Sequence, residues 1–247
     1  MDITLTKEER RFFRDQLRDA REVALLDAEG FHPIVTALER LGAVLQRDGN
    51  NLGDFQEPLL SIARQAKSTP LGDADRGLFT PVEVLYASVK NGRNDAVHQG
   101  AYARHLVRHC VELAILIEEG LVADLKCVAD FMVRSPACAE TWQPVALARQ
   151  RMLTSSYSYL PIRVDGEWKL ISDYAIASYL STAGRPRDAL RERIAVVYER
   201  GALSLETAAL VGPHASIQQA LEISGGRPVL VVEDQRLLGL ATPFDFL

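Results

Sequence analysis

The chain has few of the residues that staple a protein covalently or through metal. Three cysteines in 247 residues, Cys110, Cys127 and Cys138, are odd in number and carry no metal-ligand spacing. They fit free thiols in a reducing compartment better than a disulfide framework. His105 and His109 stand four apart on a helical stretch, but no carboxylate or cysteine completes an obvious zinc set, so no metal is expected. No apolar run approaches the roughly 18 residues of a membrane span. The first twenty residues are polar and charged, which argues against a signal peptide. A basic excess is lacking too: the net charge is −5, so no global field draws nucleic acid, although local patches remain open. A glycine-rich phosphate loop, a Ser-His-Asp arrangement and a paired-carboxylate site are all absent. A cytoplasmic protein is the expectation.

What is present falls into two parts. With 47% hydrophobic residues, the chain can bury two modest cores. Residues 1–122 read as an all-α bundle. Thr6 is a plausible N-cap, and helices are expected over about 7–24, 33–47 and 54–67. Thr80-Pro81 opens another helix that pauses at Asn91-Gly92. A long apolar helix, the expected centre of the bundle, then runs from about Arg93 to Glu119. Arg10, Arg14, Arg18 and Arg21 form a stripe interleaved with acids, which reads as solvated surface.

Residues 123–247 change grammar. A short strand is expected at Phe131–Val133, a helix at Glu140–Leu153 and a hairpin at 159–171 turning on Asp165-Gly166. Asp173 is expected to cap a helix ending near Leu180. After Gly184-Arg185-Pro186 a helix spans about 188–200. A strand near Ala208–Leu210, a helix at Ser216–Ser224, a hairpin over 227–240 and a helix start at Thr242 then repeat the pattern. The offset is roughly 68 residues, by which Asp173 falls at Thr242 and Ile176 at Asp245.

Two ordered copies of strand–helix–hairpin–helix, closed by Gly239-Leu240-Ala241-Thr242-Pro243-Phe244-Asp245, resemble a tandem CBS (cystathionine-β-synthase-type) pair. The copies would cover about 125–182 and 188–247, and the fold class would be α+β. The resemblance implies an adenine nucleotide (AMP- or ATP-like) as a regulatory ligand. Thr242 would meet its phosphate and Asp245 its ribose hydroxyls, and Gly212, Pro213, Arg227 and Pro228 would help form the base pocket. The same Thr-Pro-x-Asp also reads as a helix capping box, and that alternative stays open. With Asp173 and Ile176 in its place, the first site is expected to be degenerate.

Arg93-Asn94-Asp95-Ala96-Val97-His98 is the other informative stretch. Arg-x4-His near the start of the last helix of an all-α domain resembles the HEPN superfamily, whose active members are metal-independent ribonucleases. By that resemblance Arg93 would bind the scissile phosphate, His98 would act as general acid/base or orient the 2′-hydroxyl attack, Asn94 would position one of them, and two protomers of a homodimer would face each other around RNA. Positions five apart lie about 140° apart on a straight helix, so the pair needs an irregular start or a facing partner. Three readings follow: a nucleotide-gated ribonuclease, a non-enzymatic regulator whose helical part serves dimerisation or docking, or a scaffold whose two parts have both lost their ligands.

Overall fold

The computed structural model describes residues 4–26, 30–68, 80–96 and 103–247, and the side chains of all of these except 93–96 and 103–104. The chain divides into two units at Leu125/Lys126. No described helix is long and apolar enough to cross a membrane.

The first unit is built from helices α1 (Lys7–Leu26), α2 (His32–Leu45), α3 (Gln56–Ala63), α4 (Val82–Ala96) and α5 (Ala103–Val122). Thr6 caps α1 as expected: Glu9 N donates to Thr6 Oγ1 (3.2 Å), and Thr6 N and Oγ1 donate to the Glu9 carboxylate (2.8 and 2.9 Å). Phe13, Leu17, Ala20 and Ala24 recur at three- and four-residue intervals and are buried on one stripe of α1. Helix α5 is central, burying Cys110, Leu113, Ala114, Ile117 and Leu121 and touching each of α1 to α4. Burial pushes the Cys110 thiol up to about 12, so it is an inert core residue.

Two expectations are corrected here. Helix α4 does not pause at Asn91-Gly92 but runs through them to Ala96, and the last helix starts at Ala103. Gly92 is present for packing: a Cβ there would lie 2.7 Å from Leu106 Cδ1. The arginine stripe of α1 is not simply solvated either. Arg14 is buried, and Arg21 grips the buried Glu118 of α5 with two hydrogen bonds of 3.1 Å, while Arg18 approaches it at 3.8 Å. A buried carboxylate needs such partners, and the sequence alone does not show that Glu118 faces α1.

The second unit contains two copies of one motif. The first comprises α6 (Val128–Phe131), β1 (Val133–Arg134), α7 (Val145–Ser155), β2 (Tyr159–Val164), β3 (Glu167–Ser172) and α8 (Asp173–Thr182). After a linking turn of helix, α9 (Pro186–Ala189), the second comprises α10 (Ile194–Glu199), β4 (Glu206–Thr207), β5 (Ala209–Val211), α11 (Ile217–Ser224), β6 (Val229–Glu233), β7 (Arg236–Ala241) and a 3₁₀ turn, Pro243–Phe246. The helices expected at Glu140–Leu153 and 188–200 are thus a shorter α7 and a broken pair. Phe131 ends a helix instead of starting a strand.

The copies exchange their entering strands. β1 pairs antiparallel with β7 of the second copy, and the chain then bridges back in parallel to its own copy at Ala139↔Ile162. β4 pairs antiparallel with β3 of the first copy, and β5 returns in parallel to β6. The sheet orders are β1-β7-β6-β5 and β2-β3-β4. The preceding helices are stitched the same way. Val128 N and Ala129 N donate to Ala215 O and Pro213 O (2.9 and 3.1 Å), and Ile194 N and Ala195 N donate to Gln143 O and Thr141 O (2.9 Å each).

This register corrects the correspondence between copies. Ile162 matches Val231, while Ser172 matches Thr242. The separation grows by one residue along the hairpin because the β6–β7 ladder has a bulge between Val231 and Val232, where β7 carries the extra Leu238. Thr242 therefore answers to Ser172, not Asp173, and Asp245 answers to Ala175, not Ile176.

Close helix and strand approaches make a direct test. A Cβ at Gly120 would sit 2.0 Å from the Ile62 carbonyl oxygen, and at Gly239 it would sit 2.8 Å from the Val133 carbonyl oxygen; Gly184 has nothing within 4 Å. In denaturant unfolding, Gly120→Ala and Gly239→Ala should each lose about 1–3 kcal/mol, and Gly184→Ala less than about 0.5 kcal/mol. Equal stability of all three would contradict the packing described.

Candidate ligand site

Strand β7 ends at Ala241, opposite Val229, and the chain turns at once into the final 3₁₀ turn. That turn places Thr242 and Asp245 together. Thr242 N and Oγ1 both donate to Asp245 Oδ2 (2.8 Å each), and Asp245 N donates to Thr242 O (3.0 Å). Asp245 is buried. The capping arrangement anticipated from Thr-Pro-x-Asp is thus formed, and it engages one oxygen of the carboxylate.

Pro228, buried, and Arg227, exposed, precede β6 at this same end of the sheet. The Arg227 guanidinium is ion-paired with Glu206 Oε2 at 3.6 Å and keeps 53% of its side chain exposed, so part of it remains open to solvent. Gly212 and Pro213 do not join this group. They follow Val211, the partner of Val231, so about four residues of strand, roughly 13 Å, separate Gly212 from Pro228. The Pro213 carbonyl is used by Ala129 N (3.1 Å).

The exchanged strand adds residues that the linear sequence does not bring together. Glu206 on β4 pairs with Leu170 on β3, and Tyr159 pairs with Ser172 at the end of the same hairpin. The Tyr159 phenol is pushed above its ordinary value, first by burial and then by the Glu206 and Asp173 carboxylates, with Arg227 opposing. Tyr159, Asp173, Glu206 and Arg227 are therefore one electrostatic group contributed by both copies. At the helix start beside it, Ser172 Oγ accepts from Ala175 N (3.2 Å), so Ser172 and not Asp173 is the cap of α8. The first copy keeps the hydroxyl of the second but has Ala175 in place of its carboxylate.

In the helical unit, Arg93 and Asn94 lie in the last turn of α4 instead of at the start of the final helix. Their side chains and His98 lie outside the described residues.

No family model matches the sequence, and no curated protein sequence matches it. Solved structures are similar over about the C-terminal half. A CBS domain-containing protein from Bacillus anthracis is 20% identical, with 48% of this chain and 88% of that one covered and a TM-score of 0.40. A CBS-domain containing protein from Agrobacterium tumefaciens is 17% identical over 49% and 90% of the two chains, with a TM-score of 0.39. CBSX2, solved in complex with AMP, is 17% identical over 48% and 91%, with a TM-score of 0.37.

The polar group predicts a titration. A phenol whose pKa is raised on folding leaves stability intact below its ordinary value of 10.0 and costs stability as pH rises from there toward the folded value. The difference in phenolate absorbance between the native protein and Tyr159→Phe should show a midpoint above 10, and Glu206→Gln should lower that midpoint. A midpoint at 10 that Glu206→Gln leaves unmoved would break up the group.

Proposed function

We propose that the second unit is a tandem CBS-type sensor that binds an adenine nucleotide at the strand ends around Arg227, Pro228, Thr242 and Asp245. The observation that carries this reading is the Thr242–Asp245 pair, held at the end of β7 beside the half-exposed Arg227 guanidinium. A ribose diol suits the Asp245 carboxylate, which already accepts a hydroxyl there. On binding, the ribose takes the place of the Thr242 hydroxyl on Oδ2. The released hydroxyl and Arg227 then face the phosphate, for which the guanidinium is a permanent, forked donor. The group of Tyr159, Asp173 and Glu206 lies next to this site and lets occupancy bear on both copies. Since Ala175 replaces the carboxylate in the first copy, one nucleotide per chain is the stoichiometry of this reading.

The helical unit is then the part under control. The course of α4 favours its serving as a docking or homodimerisation module, because Arg93 and Asn94 end one helix and do not begin the last. The ribonuclease reading rests on the Arg93-Asn94-His98 spacing, with RNA as substrate. It is tested by cleavage in EDTA beside His98→Ala: cleavage lost in that variant would establish it.

Calorimetry and thermal unfolding with AMP, ADP and ATP test the sensor. A nucleotide at 100 times its Kd should stabilise the second unit by about 2.7 kcal/mol, with one site per chain, and Asp245→Ala should abolish the effect. Two equal sites per chain, or stabilisation unchanged in Asp245→Ala, would contradict the assigned residues. The absence of any stabilisation would remove the nucleotide from the account.

A further inference from the structure

The two hairpins of the second unit turn in the same way but differ in what they carry at their tips. Asp165-Gly166 and Asp234-Gln235 both place two consecutive residues at positive φ, the turn geometry that suits the strand twist. In the second hairpin the glycine is replaced by Gln235 at φ 62°, a left-handed backbone that disfavours a side chain. On the flanking strands, Arg163 and Trp168 face each other across the first hairpin. By the register of the two copies, Val232 and Leu237 take their places in the second. A guanidinium and an indole are thus present on one side only, where an undifferentiated repeat would have apolar residues on both.

Arg163, Trp168 and Leu237 line a groove of about 620 Å³ together with Ser135, Asp234, Gln235 and Arg236. The groove is wide open to solvent. The Arg163 guanidinium lies over the Trp168 ring at 5.9 Å, its Nε donates to Gly166 O (3.0 Å), and its Nη2 reaches Gln235 Oε1 at 3.5 Å. Among the described ion pairs neither Arg163 nor Arg236 has a carboxylate partner, so the single acid in the lining, Asp234, neutralises neither by contact. The Trp168 indole Nε1 is shielded from solvent and has no acceptor among the described residues. An unmade hydrogen bond of this kind is costly. The groove therefore collects two guanidiniums and a hydroxyl around a single exposed acid, with the indole ring as part of its wall.

We propose that this groove is a second ligand site, distinct from the strand-end site, and that it takes a small molecule through an anionic group, phosphate or carboxylate, held between Arg163 and Arg236. The guanidiniums supply charge and forked donors, and the Trp168 ring fixes the plane of Arg163. The left-handed Gln235 holds the far side of that guanidinium.

The groove is tested on the full chain in a Trp142→Phe background. Trp142 is 64% exposed and outside the groove, and its removal leaves Trp168 as the fluorophore. Inorganic pyrophosphate and malonate are titrated separately, against sodium chloride at matched ionic strength. A saturable change in Trp168 emission is expected with at least one of them. Arg163→Gln and, independently, the exposed Arg236→Gln should each weaken it about tenfold, while Arg187→Gln on α9 should leave it unchanged. Response to pyrophosphate alone assigns a phosphate group, and response to malonate assigns a carboxylate. No saturable change beyond that of chloride, or an affinity in Arg163→Gln and Arg236→Gln unchanged from that of the Trp142→Phe parent, would overturn the proposal.

Discussion

The second unit depends on one constraint: neither copy of its motif can complete its sheet alone. The two residues of β1 belong to the sheet of the second copy, and the two residues of β4 belong to the sheet of the first. Two-residue strands have almost no stability of their own. They persist here because the chain on either side is fixed by the other copy, through the amides of Val128 and Ala129 in one direction and of Ile194 and Ala195 in the other. Buried residues at the facing strands, including Leu170, Ala208 and Leu230, close the arrangement with a small apolar cluster. Severing either crossing would expose backbone donors and acceptors together with that cluster.

The functional features are consequences of the exchange. Glu206 meets Tyr159 and Arg227 because β4 leaves its own copy to pair beside β3. Both helix starts, at Ser172 and Thr242, lie at strand ends whose positions the exchanged strands define. The two copies then diverge in chemistry on a shared backbone. One helix start has a carboxylate and the other alanine; one hairpin tip has arginine and tryptophan and the other valine and leucine. The two copies thus share their packing while presenting unlike side chains at matching places.

Local chemistry was legible in the sequence, and pairing between distant segments was not. The cap at Thr6, the Asp165-Gly166 turn, the helix begun by Ser216 and the Thr242–Asp245 box all depend on residues within four positions of one another, and each appears in the structure. β1 and β4 are too short to show a period of two. The extra Leu238 shifts the correspondence of the copies midway along a hairpin, so a constant offset placed Asp173 and Ile176 one position too late. Gly92 read as a break because glycine disfavours helix, yet the crossing with Leu106 needs its missing side chain. Nothing local in the sequence marks Glu118 as buried, because its partners Arg18 and Arg21 lie on α1, far away along the chain. The family resemblance put Gly212 and Pro213 with Arg227 and Pro228 in one pocket, and the parallel register of β5 separates the two pairs along the sheet.

Native-state hydrogen exchange of the full chain tests the interdependence of the copies most directly. The amides of Leu160 and Ile171 in the first hairpin, and of Leu230 and Leu240 in the second, should exchange through one opening reaction, with equal free energies and equal denaturant dependence. A second hairpin that opens at lower free energy while the first stays protected would show two independent modules and contradict the account.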